Sequence, residues 1–465
     1  MTFSLILYFL LGLLAGNVTP SSSCETCKYV IPVKGDWIDG DKLKLEPGDT
    51  ICLDGSYNYN IPLRFKNIRG SAEKPIIIMN RNGTANVAVP SNLVYAAKFE
   101  YCEHFRLTGT GEPSSYGIRI SGANKLGIAF DKLTTDFEVD HIEISDIGFA
   151  GIMAKTDPSC DSTSGRGFFT MKNVDIHHNL VQRTGGEGLY IGNSFYSQGA
   201  KTPCGQRLPH DLENIKIHHN IVRNTGWEGI QLGGAVRGAE IYNNIVEDYG
   251  ERNDGNQNNG IQIGEGTGGL CYNNYIHSGT GNGIIVLGLG DNTVFNNIIV
   301  DAGGFGIFCD DRYVTGTGFS FINNTIIHPR RDGIRLYSDQ VKLNSVINNL
   351  IVNPGSFDEY ELDKTARVGN DAYLYLLNAN VKVSKSKNFF TRDGIGELKK
   401  CGDALAGETG LEDLLLSALV LPGNNAKPKN IDAGDDVSNR GITFDFFNNP
   451  RPSGKGYDIG AIEFK

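Results

Sequence analysis

Ile176-His177-His178-Asn179, followed by Gly188-Leu189-Tyr190-Ile191, is the stretch that decides the fold of this chain. The same pattern, an apolar strand ending in an asparagine turn and then a glycine with alternating apolar residues, recurs seven times between residues 140 and 350. Repeats of this length without helical periodicity predict a solenoid built from strands.

The spacing of the repeats predicts how the strands are connected. The turn asparagines are Asn179, Asn220, Asn244, Asn274, Asn297, Asn324 and Asn349, and the glycines are Gly151, Gly188, Gly229, Gly260, Gly283, Gly306 and Gly333. From asparagine to glycine the interval is 9 residues in five repeats and 16 in the one between Asn244 and Gly260. The shortest full repeat, from Asn274 to Asn297, is 23 residues. That length is enough for three strands of roughly four to five residues and three tight turns.

Each repeat therefore predicts one coil of a parallel β-helix, an all-β fold. Coils would stack at about 4.8 Å, so one apolar column would line the core: Ile176, Ile217, Ile241, Val294, Phe321 and Val346. Solenoids grow by adding coils, so 465 residues fit a single domain. We expect this domain at residues 24–465, with a less regular C-terminal region at 352–465.

The N-terminus predicts export. Residues 1–16 are apolar, too short to span a bilayer, and followed by a polar Ser/Thr/Pro stretch, which is typical of a signal peptide, here residues 1–23. We expect no membrane span and a secreted, periplasmic or cell-surface location. Cys24 is a candidate for lipidation. Its spacing to Cys27 resembles a zinc motif, but no second pair completes it.

Nine cysteines in an exported chain predict disulfides. Cys160 and Cys204 lie in the two longest loops, in adjacent coils, and we expect them to pair. Cys271 and Cys309 fall at inward positions of the repeat and are predicted to be buried. The formal net charge of −10 argues against a nucleic-acid partner, because phosphate binding needs clustered Lys and Arg. A polysaccharide partner and a monomer are expected.

The long loops predict where a site forms. Two long loops follow the C-terminal end of the glycine strand, at residues 156–172 and 193–213. The extra residues of the longer Asn244–Gly260 interval, within 247–258, lead back to the N-terminal end of that strand. These loops would wall the same strand from both sides, and strand alternation sends one set of side chains outward between them as a groove floor: Met153, Tyr190, Gln231 and Gln262.

Polar residues surround this predicted groove. Glu187, Glu228 and Asn259 precede the strand glycine in successive coils, and Lys155 closes the strand of the first coil. We predict Lys155, Tyr190, Glu187 and Glu228 as catalytic candidates. Candidates for substrate binding are Gln231, Gln262, Arg207, His210, Arg252 and Arg312. Glu187 and Glu228 also stand at corners where any solvated polar residue would suffice.

Two other motifs have a structural and a functional interpretation. His178 and His219 occupy the column that asparagine holds in later coils, which predicts turn residues rather than ligands. Asp310-Asp311-Arg312 follows the Gly306 strand. Its carboxylates are either further catalytic candidates or an ordinary salt-bridged corner.

Two segments carry a family resemblance. Leu45-Glu46-Pro47-Gly48-Asp49-Thr50-Ile51-Cys52-Leu53 and Gly70-Ser71-Ala72-Glu73-Lys74-Pro75-Ile76-Ile77-Ile78 resemble the first coils of the chondroitinase B and alginate lyase family, in the pectate-lyase-like superfamily. The closing Gly456-Tyr457-Asp458-Ile459-Gly460-Ala461-Ile462-Glu463-Phe464 is similar to a common ending of such proteins. The resemblance implies a right-handed parallel β-helix over most of the chain.

The resemblance also implies a chemistry. Lyases of that family use calcium on Asn and acidic residues to neutralise a uronate carboxylate, with a Lys and an Arg as base and helper. Here it implies Glu187, Glu228 and Asn259 as calcium ligands and Lys155 as the base. The leading prediction is a polysaccharide lyase that cleaves an acidic polysaccharide by β-elimination.

Two alternatives remain open at this point. One is a glycoside hydrolase that uses two of Glu187, Glu228, Asp310 and Asp311 as acid and base. The other is a non-catalytic glycan-binding or structural solenoid. Elimination yields an unsaturated uronate that absorbs in the ultraviolet, and hydrolysis does not.

Overall fold

The computed structural model describes residues 27–355, 373–391 and 429–464, and its strands form three long parallel sheets around one core. From the second coil onward the chain visits sheet 1, sheet 2 and sheet 3 in turn, and each strand pairs with the equivalent strand of the neighbouring coil. The architecture is the parallel β-helix that the repeats predict. The predicted signal peptide, Cys24 and much of 352–430 lie outside the described residues.

Sheet 1 contains thirteen strands and sheet 2 contains twelve. Sheet 1 consists of β1 (Tyr29–Val30), β3 (Thr50–Asp54), β6 (Ile76–Arg81), β9 (Glu103–Thr108), β12 (Thr135–Asp140), β15 (Thr170–His177), β20 (Asp211–His218), β23 (Ala235–Tyr242), β26 (Leu270–Tyr272), β29 (Thr293–Phe295), β32 (Ser320–Ile322), β35 (Asn344–Ile347) and β38 (Val383–Ser386). Sheet 2 consists of β4 (Asn58–Tyr59), β7 (Ala85–Ala88), β10 (Ile118–Ser121), β13 (Ile142–Ile147), β16 (Leu180–Thr184), β21 (Ile221–Thr225), β24 (Ile245–Glu247), β27 (Tyr275–Gly279), β30 (Ile298–Ala302), β33 (Thr325–Ile327), β36 (Leu350–Val352) and β39 (Phe389–Thr391).

Sheet 3 also contains twelve strands. They are β2 (Trp37–Asp39), β5 (Leu63–Lys66), β8 (Tyr95–Glu100), β11 (Leu126–Asp131), β14 (Ala150–Ala154), β17 (Leu189–Ile191), β22 (Ile230–Leu232), β25 (Ile261–Ile263), β28 (Ile284–Val286), β31 (Ile307–Asp310), β34 (Ile334–Tyr337) and β37 (Leu374–Leu376). A short antiparallel hairpin, β18 (Ala200–Thr202) and β19 (Gly205–Arg207), lies in a loop. The described helices are α1 (Gly40–Leu43) and the 3₁₀ turns Ser162–Ser164 and Ser438–Arg440.

The turn between sheet 1 and sheet 2 repeats one set of hydrogen bonds. Asn220 Oδ1 accepts from the backbone N–H of Asn179 at 3.1 Å, and its Nδ2 donates to the carbonyl of Ile176 at 2.8 Å. The residue before each of these two asparagines has a positive φ, 53° at both His178 and His219. Asn and His are enriched in this conformation. The prediction that both histidines are turn residues is confirmed.

The predicted apolar column lines the core. Ile176 pairs with Ile217 and Ile217 with Ile241, and every predicted member of the column is 0–1% exposed. Cys271 continues the column after Ile241, and Cys309 points inward from sheet 3; both are buried free thiols, as predicted. The spacing of the repeats therefore predicts which face of each strand is inside.

The C-terminal segment at 429–464 packs on the outside of the last coils, where sheet 1 meets sheet 2. Asn323 Nδ2 donates to the carbonyls of Asp458 and Gly460 at 2.9 and 3.0 Å, and apolar residues of the segment pack against outward side chains of both sheets. Within the region predicted to be less regular, β37, β38 and β39 form one more coil. This corner is covered, so a ligand site must lie elsewhere.

Two disulfides stabilise the N-terminal coils and the loops. Cys160 and Cys204 are bonded, the pairing that the loop positions predict. Cys27 and Cys52 form a second bridge, which the sequence did not predict and which leaves Cys27 unavailable to a zinc ion. Among the described residues, no helix has the length and apolar character needed to cross a bilayer.

Candidate active site at the edge of sheet 3

The outer face of sheet 3 carries one column of side chains from successive coils. Met153 pairs with Tyr190, Tyr190 with Gln231, and Gln231 with Gln262, so the four residues stand in register about 4.8 Å apart. All four lie outside the hydrophobic core cluster, as predicted. However, Tyr190, Gln231 and Gln262 are only 8%, 1% and 7% exposed.

The expectation of an open groove floor is therefore wrong at these positions, because the chain that follows β17 lies over them. The hydroxyl of Tyr190 is 2.8 Å from Oγ of Ser194, which also accepts from Nε2 of Gln231 at 3.4 Å. Nε2 of Gln262 donates to Oε1 of Gln231 at 3.0 Å. These side chains hold the loop against the sheet, and a sugar contacts them only if that segment moves.

The two candidate glutamates stand side by side at the corner between sheet 2 and sheet 3. The backbone N–H of Gly188 donates to the carbonyl of Glu228, so Glu187 and Glu228 precede equivalent strands of adjacent coils. They are 2% and 0% exposed, and Oε2 of each is shielded without a hydrogen-bond partner. Shielded polar atoms without partners are rare in folded proteins and need a functional or structural explanation.

Burial controls the ionisation of this carboxyl pair. Burial raises the pKa of Glu187 to about 7, against the opposing positive charge of Lys155. For Glu228, burial and then repulsion from Glu187 raise the pKa to about 8. Because the two groups interact, their protons belong to the pair. Near neutral pH the pair can therefore hold one proton, as acid–base catalysis requires.

A ladder of amides ends on Glu228 and fixes which atom faces it. The backbone N–H of Phe305 donates to Oδ1 of Asn282 at 2.9 Å, so Nδ2 of Asn282 donates to Oδ1 of Asn259 at 2.8 Å. Nδ2 of Asn259 then donates to Oε1 of Glu228 at 3.2 Å. A backbone N–H can only donate, so the orientation of both amides is set by the fold.

This orientation bears on the calcium site that the family resemblance implies. Calcium binds oxygen ligands, whereas Asn259 presents an N–H group to Glu228 and commits its oxygen to Asn282. The set Glu187, Glu228 and Asn259 does not fit a calcium ion in this arrangement.

Lys155 is held in an ion pair, which opposes the role of a general base. Its Nζ bonds Oδ1 of Asp157 at 2.8 Å and lies 4.6 Å from the centre of the Tyr190 ring. Burial acts to lower the pKa of Lys155, but interactions with Tyr190 and Asp157 outweigh it and raise the pKa above its ordinary value. The amine therefore stays protonated at neutral pH, and its role here is electrostatic.

Aromatic rings and an arginine lie beside the chain positions next to the two glutamates, and the sequence prediction missed the rings. Phe149 packs edge-on against Trp227 with centroids 5.5 Å apart, and against Tyr190 at 6.2 Å. Trp227 immediately precedes Glu228 in the chain. Arg252 is exposed and lies across the corner glycines that precede the two glutamates by two residues. Aromatic walls with a few polar groups are typical of ligand sites.

Two predicted substrate-binding residues lie in the long loop after β17, one buried and one half-buried. His210 is 1% exposed; its Nε2 accepts from the backbone N–H of Thr156 at 3.0 Å, and its Nδ1 is 3.0 Å from the carbonyl of Asp211. Burial lowers the pKa of His210, so the ring is a neutral structural link between the two long loops. Arg207 is part of β19, and its Nε is shielded from solvent. Neither belongs to the glutamate corner.

The carboxylates after β31 are also separate from the pair. Four coil steps lead from β17 to β31, which places Asp310 about 19 Å from Glu187 along the axis. Asp310 pairs with Arg312 at 2.8 Å. Asp311 is 2% exposed and accepts from the backbone N–H of Gln340, and burial raises its pKa. Asp310 is therefore too far from Glu187 to act with it as an acid–base pair.

Further along sheet 3 the outward column becomes aromatic and basic. Arg335 lies 4.6 Å from the centre of the Phe305 ring, 5.2 Å from that of Tyr337 and 4.2 Å from that of Tyr375. Phe308 packs edge-on against Tyr337 at 5.2 Å. These residues are partly exposed. The sequence prediction missed them, although the register of the column extends to them.

Comparisons with known proteins agree with the fold. Residues 210–386 match the family model described as right handed beta helix region, which confirms the right-handed form that the sequence predicts. No curated protein matches the sequence. Among solved structures, the chain is similar to pectate lyase Pel9A, with 14% identity, a TM-score of 0.46, and 95% of this chain and 97% of that chain covered.

Two further solved structures are similar over part of the chain. The GH136 lacto-N-biosidase from Eubacterium ramulus is 13% identical with a TM-score of 0.45, and 75% of this chain and 63% of that chain are covered. The alginate lyase from Paenibacillus sp. str. FPU-7 is 16% identical with a TM-score of 0.40, and 63% of this chain and 97% of that chain are covered. Similarities at this level do not assign a reaction to this chain.

Proposed function

We propose that this right-handed parallel β-helix protein is an exported carbohydrate-active enzyme that hydrolyses glycosidic bonds of a polysaccharide, with Glu187 and Glu228 as its catalytic pair. The observation that carries the proposal is the pairing itself. Two glutamates from adjacent coils each have a shielded, unpartnered carboxylate oxygen and a pKa raised by burial. Strongly perturbed carboxyls beside aromatic walls are typical of acid–base sites.

The different environments of the two carboxyls assign their roles. Glu228 has the higher pKa, and so it keeps the proton and acts as the general acid toward the leaving oxygen. Glu187 is closer to its ionised form, because Lys155 opposes the effect of burial, and it acts as the carboxylate. Equivalent positions of adjacent coils are about 4.8 Å apart, closer to the carboxyl separation of retaining glycosidases than of inverting ones. We therefore expect retention of anomeric configuration.

Hydrolysis fits the site better than the elimination that the family resemblance implies. Elimination needs a base to remove a proton beside the uronate, and Lys155 is held protonated by Asp157 and Tyr190. The lyase activity stays a prediction that product analysis separates from ours.

Access to the pair requires a local movement. Both carboxyls are buried at the coil corner, and the half-buried Trp227 precedes Glu228 in the chain. The segment at 251–256 is exposed and carries Arg252, which lies over the corner glycines. Displacing this loop or the indole would admit a sugar while keeping the surroundings poor in water, which preserves the raised pKa values. Arg252 in this loop and Lys155 supply positive charge, so an acidic polysaccharide is the expected substrate class.

Export is the second part of the proposal. The apolar N-terminus predicts a signal peptide, and two disulfides join Cys27 to Cys52 and Cys160 to Cys204. Disulfides persist mainly in oxidising compartments outside the cytosol. Fractionation of expressing cells, with non-reducing electrophoresis of the recovered protein, tests this part independently of activity.

The test of the reaction compares products and variants on a panel of uronate and neutral polysaccharides. We expect wild-type protein to release reducing ends without ultraviolet-absorbing unsaturated products. Glu187→Gln and Glu228→Gln should each lower kcat by about 100-fold or more. Glu213→Gln is the matched control, because this glutamate lies on sheet 1 in surface ion pairs with Lys172 and Arg237. Unsaturated products, or full activity in both pair variants, would overturn the proposal.

A further inference from the structure

We infer that the outer face of sheet 1 carries a binding site for a divalent transition-metal ion of the zinc type, formed by Asp175, His177 and His218. The ligand atoms of these three residues lie within 4.8 Å of one another. The site is on a different sheet from Glu187 and Glu228, so it does not depend on the proposed hydrolysis.

The strand register brings the three residues together. Asp175 and His177 are two positions apart on β15 and therefore face the same side, and His218 is the in-register partner of His177 on β20. The two imidazoles stack with centroids 4.8 Å apart and an 8° angle between the planes, so their Nε2 atoms point the same way. Nε2 of His218 lies 2.9 Å from Oδ1 of Asp175.

The contact between Asp175 and His218 is close but is not a hydrogen bond. Oδ1 of Asp175 is shielded from solvent and has no hydrogen-bond partner, although Nε2 of His218 is 2.9 Å away. With Nε2 of His218 and a ring nitrogen of His177 also within 4.8 Å, one ion could reach all three groups. Two imidazole nitrogens and one carboxylate oxygen form a ligand set typical of zinc sites with an open fourth position.

The second histidine of each pair orients the first. Nδ1 of His177 is 2.7 Å from Nδ1 of His178, and Nδ1 of His218 is 2.8 Å from Nδ1 of His219. In the metal-free chain Nε2 of His177 donates to Oε1 of Glu138 at 2.9 Å, so an ion would replace that proton while the shared proton stays on Nδ1 of the outward ring. Metal-binding histidines commonly have such a partner on the other ring nitrogen, which fixes the tautomer and the ring plane. The repeated His-His sequence thus has a ligand position and a turn position.

A neighbouring group of similar composition is already neutralised. Arg106 Nε donates to Asp140 at 2.8 Å and lies 3.1 Å from Glu138. These two carboxylates therefore have a cation in place, although Glu138 also contacts Nε2 of His177 at 2.9 Å. Arg106 acts on Asp175 only through a longer-range charge interaction, and the nearest cationic group to Asp175 is the imidazole of His218 itself.

The position along the chain suggests what the ion does. β15 and β20 are the strands on which the chain re-enters the helix after the loops that carry Cys160 and Cys204. An ion bound to His177 and His218 would join these two coils directly. Binding to the folded state alone stabilises it, so the ion would fix the re-entry of the chain after both loops.

The test is binding of Zn²⁺ to the full chain by calorimetry, with thermal unfolding as a second readout. We expect wild-type protein to bind one ion more tightly than His218→Tyr or Asp175→Asn by about 100-fold or more. Tyrosine is the matched replacement, since Tyr242 follows His218 in the same stacked column. We also expect Zn²⁺, but not Mg²⁺, to raise the unfolding temperature of the wild type alone, because magnesium prefers oxygen ligands.

His328→Asn is the control for non-specific binding to surface histidine. His328 is a partly exposed histidine at a positive-φ position near Asp301, and its loss should leave Zn²⁺ binding unchanged. Equal Zn²⁺ affinity in the wild type, His218→Tyr and Asp175→Asn would overturn the inference. So would the absence of Zn²⁺ binding to wild-type protein that circular dichroism shows to be folded.

Discussion

Glu228→Gln replaces a buried carboxyl, which is harder to ionise in the folded chain than in the unfolded chain, with a neutral amide. The side chain is 0% exposed, its Oε2 has no hydrogen-bond partner, and burial with repulsion from Glu187 raises its pKa from 4.5 to about 8. Glutamine keeps the size of the side chain and an oxygen that accepts from Asn259, but it carries no charge at any pH. The variant therefore isolates the free energy of the buried charge.

The sign and size of the effect follow from the two pKa values. Below about pH 4.5 the carboxyl is protonated in the folded and the unfolded chain, and the charge has no effect on stability. Between about pH 4.5 and 8 the unfolded chain has lost a proton that the folded chain keeps, so the stability of the wild type falls as pH rises. Each pH unit in this window corresponds to about 1.4 kcal/mol. The ceiling is thus about 5 kcal/mol in favour of the variant above about pH 8.

Thermal unfolding followed by circular dichroism measures this difference. Unfolding entropy is about 2.1 cal/mol/K per residue, so for 465 residues a gain of about 5 kcal/mol raises Tm by about 5 °C. The amide of glutamine can itself lack a partner and cost about 1–3 kcal/mol at every pH. The readout is therefore the Tm of Glu228→Gln minus the Tm of the wild type, compared between acid and alkaline pH. A difference that is the same at both pH values would refute the buried-charge argument.

Three further predictions concern the pair, the turn and the loops. Activity should follow a bell-shaped pH profile with its maximum between about pH 7 and 8, where Glu187 is ionised and Glu228 protonated; kcat across pH checks this, and an acidic optimum contradicts it. Asn297→Ala should destabilise the fold by about 3 kcal/mol or more in chemical denaturation, because buried backbone groups of neighbouring coils lose their partners; an effect below about 1 kcal/mol would contradict the role of the asparagine turn. Cys160→Ser should lower stability by up to about 4 kcal/mol, since the bridge to Cys204 spans 44 residues; thermal unfolding checks this, and an unchanged Tm would show that the loops do not need it.

The repeats predict which side chains lie in the interior, but they do not predict how the loops cover the surface. Ile176 and its column follow from a period that recurs in every coil, because stacking in register places equivalent residues together. The same rule correctly sends Tyr190, Gln231 and Gln262 outward. It cannot show that Ser194 lies on Tyr190 and Gln231, because that segment is a loop with no repeated partner in other coils.

Other differences have equally local reasons. His210 belongs to a loop without periodicity, so nothing in the sequence distinguishes a buried ring from an exposed ligand. The bridge between Cys27 and Cys52 lies before the recognisable repeats. Arg335 was within reach of the argument, since extending the outward column beyond Gln262 along the same register leads through Phe308 to it.

The side-chain amides of Asn282 and Asn259 both point the same way along the helix axis. Stacked asparagines could donate either way along the axis, but the backbone N–H of Phe305 fixes Asn282, and Asn282 fixes Asn259. As a result, Asn259 presents an N–H group to Glu228. This donor stabilises the Glu228 carboxylate only in part, since burial and repulsion from Glu187 still raise the pKa of Glu228. A glutamate stacked on another glutamate at the end of such a ladder gains a donor on one side and repulsion on the other. Glu187 and Glu228 are identical residues at equivalent positions, but only Glu228 contacts the asparagine ladder, so the two carboxyls have different surroundings.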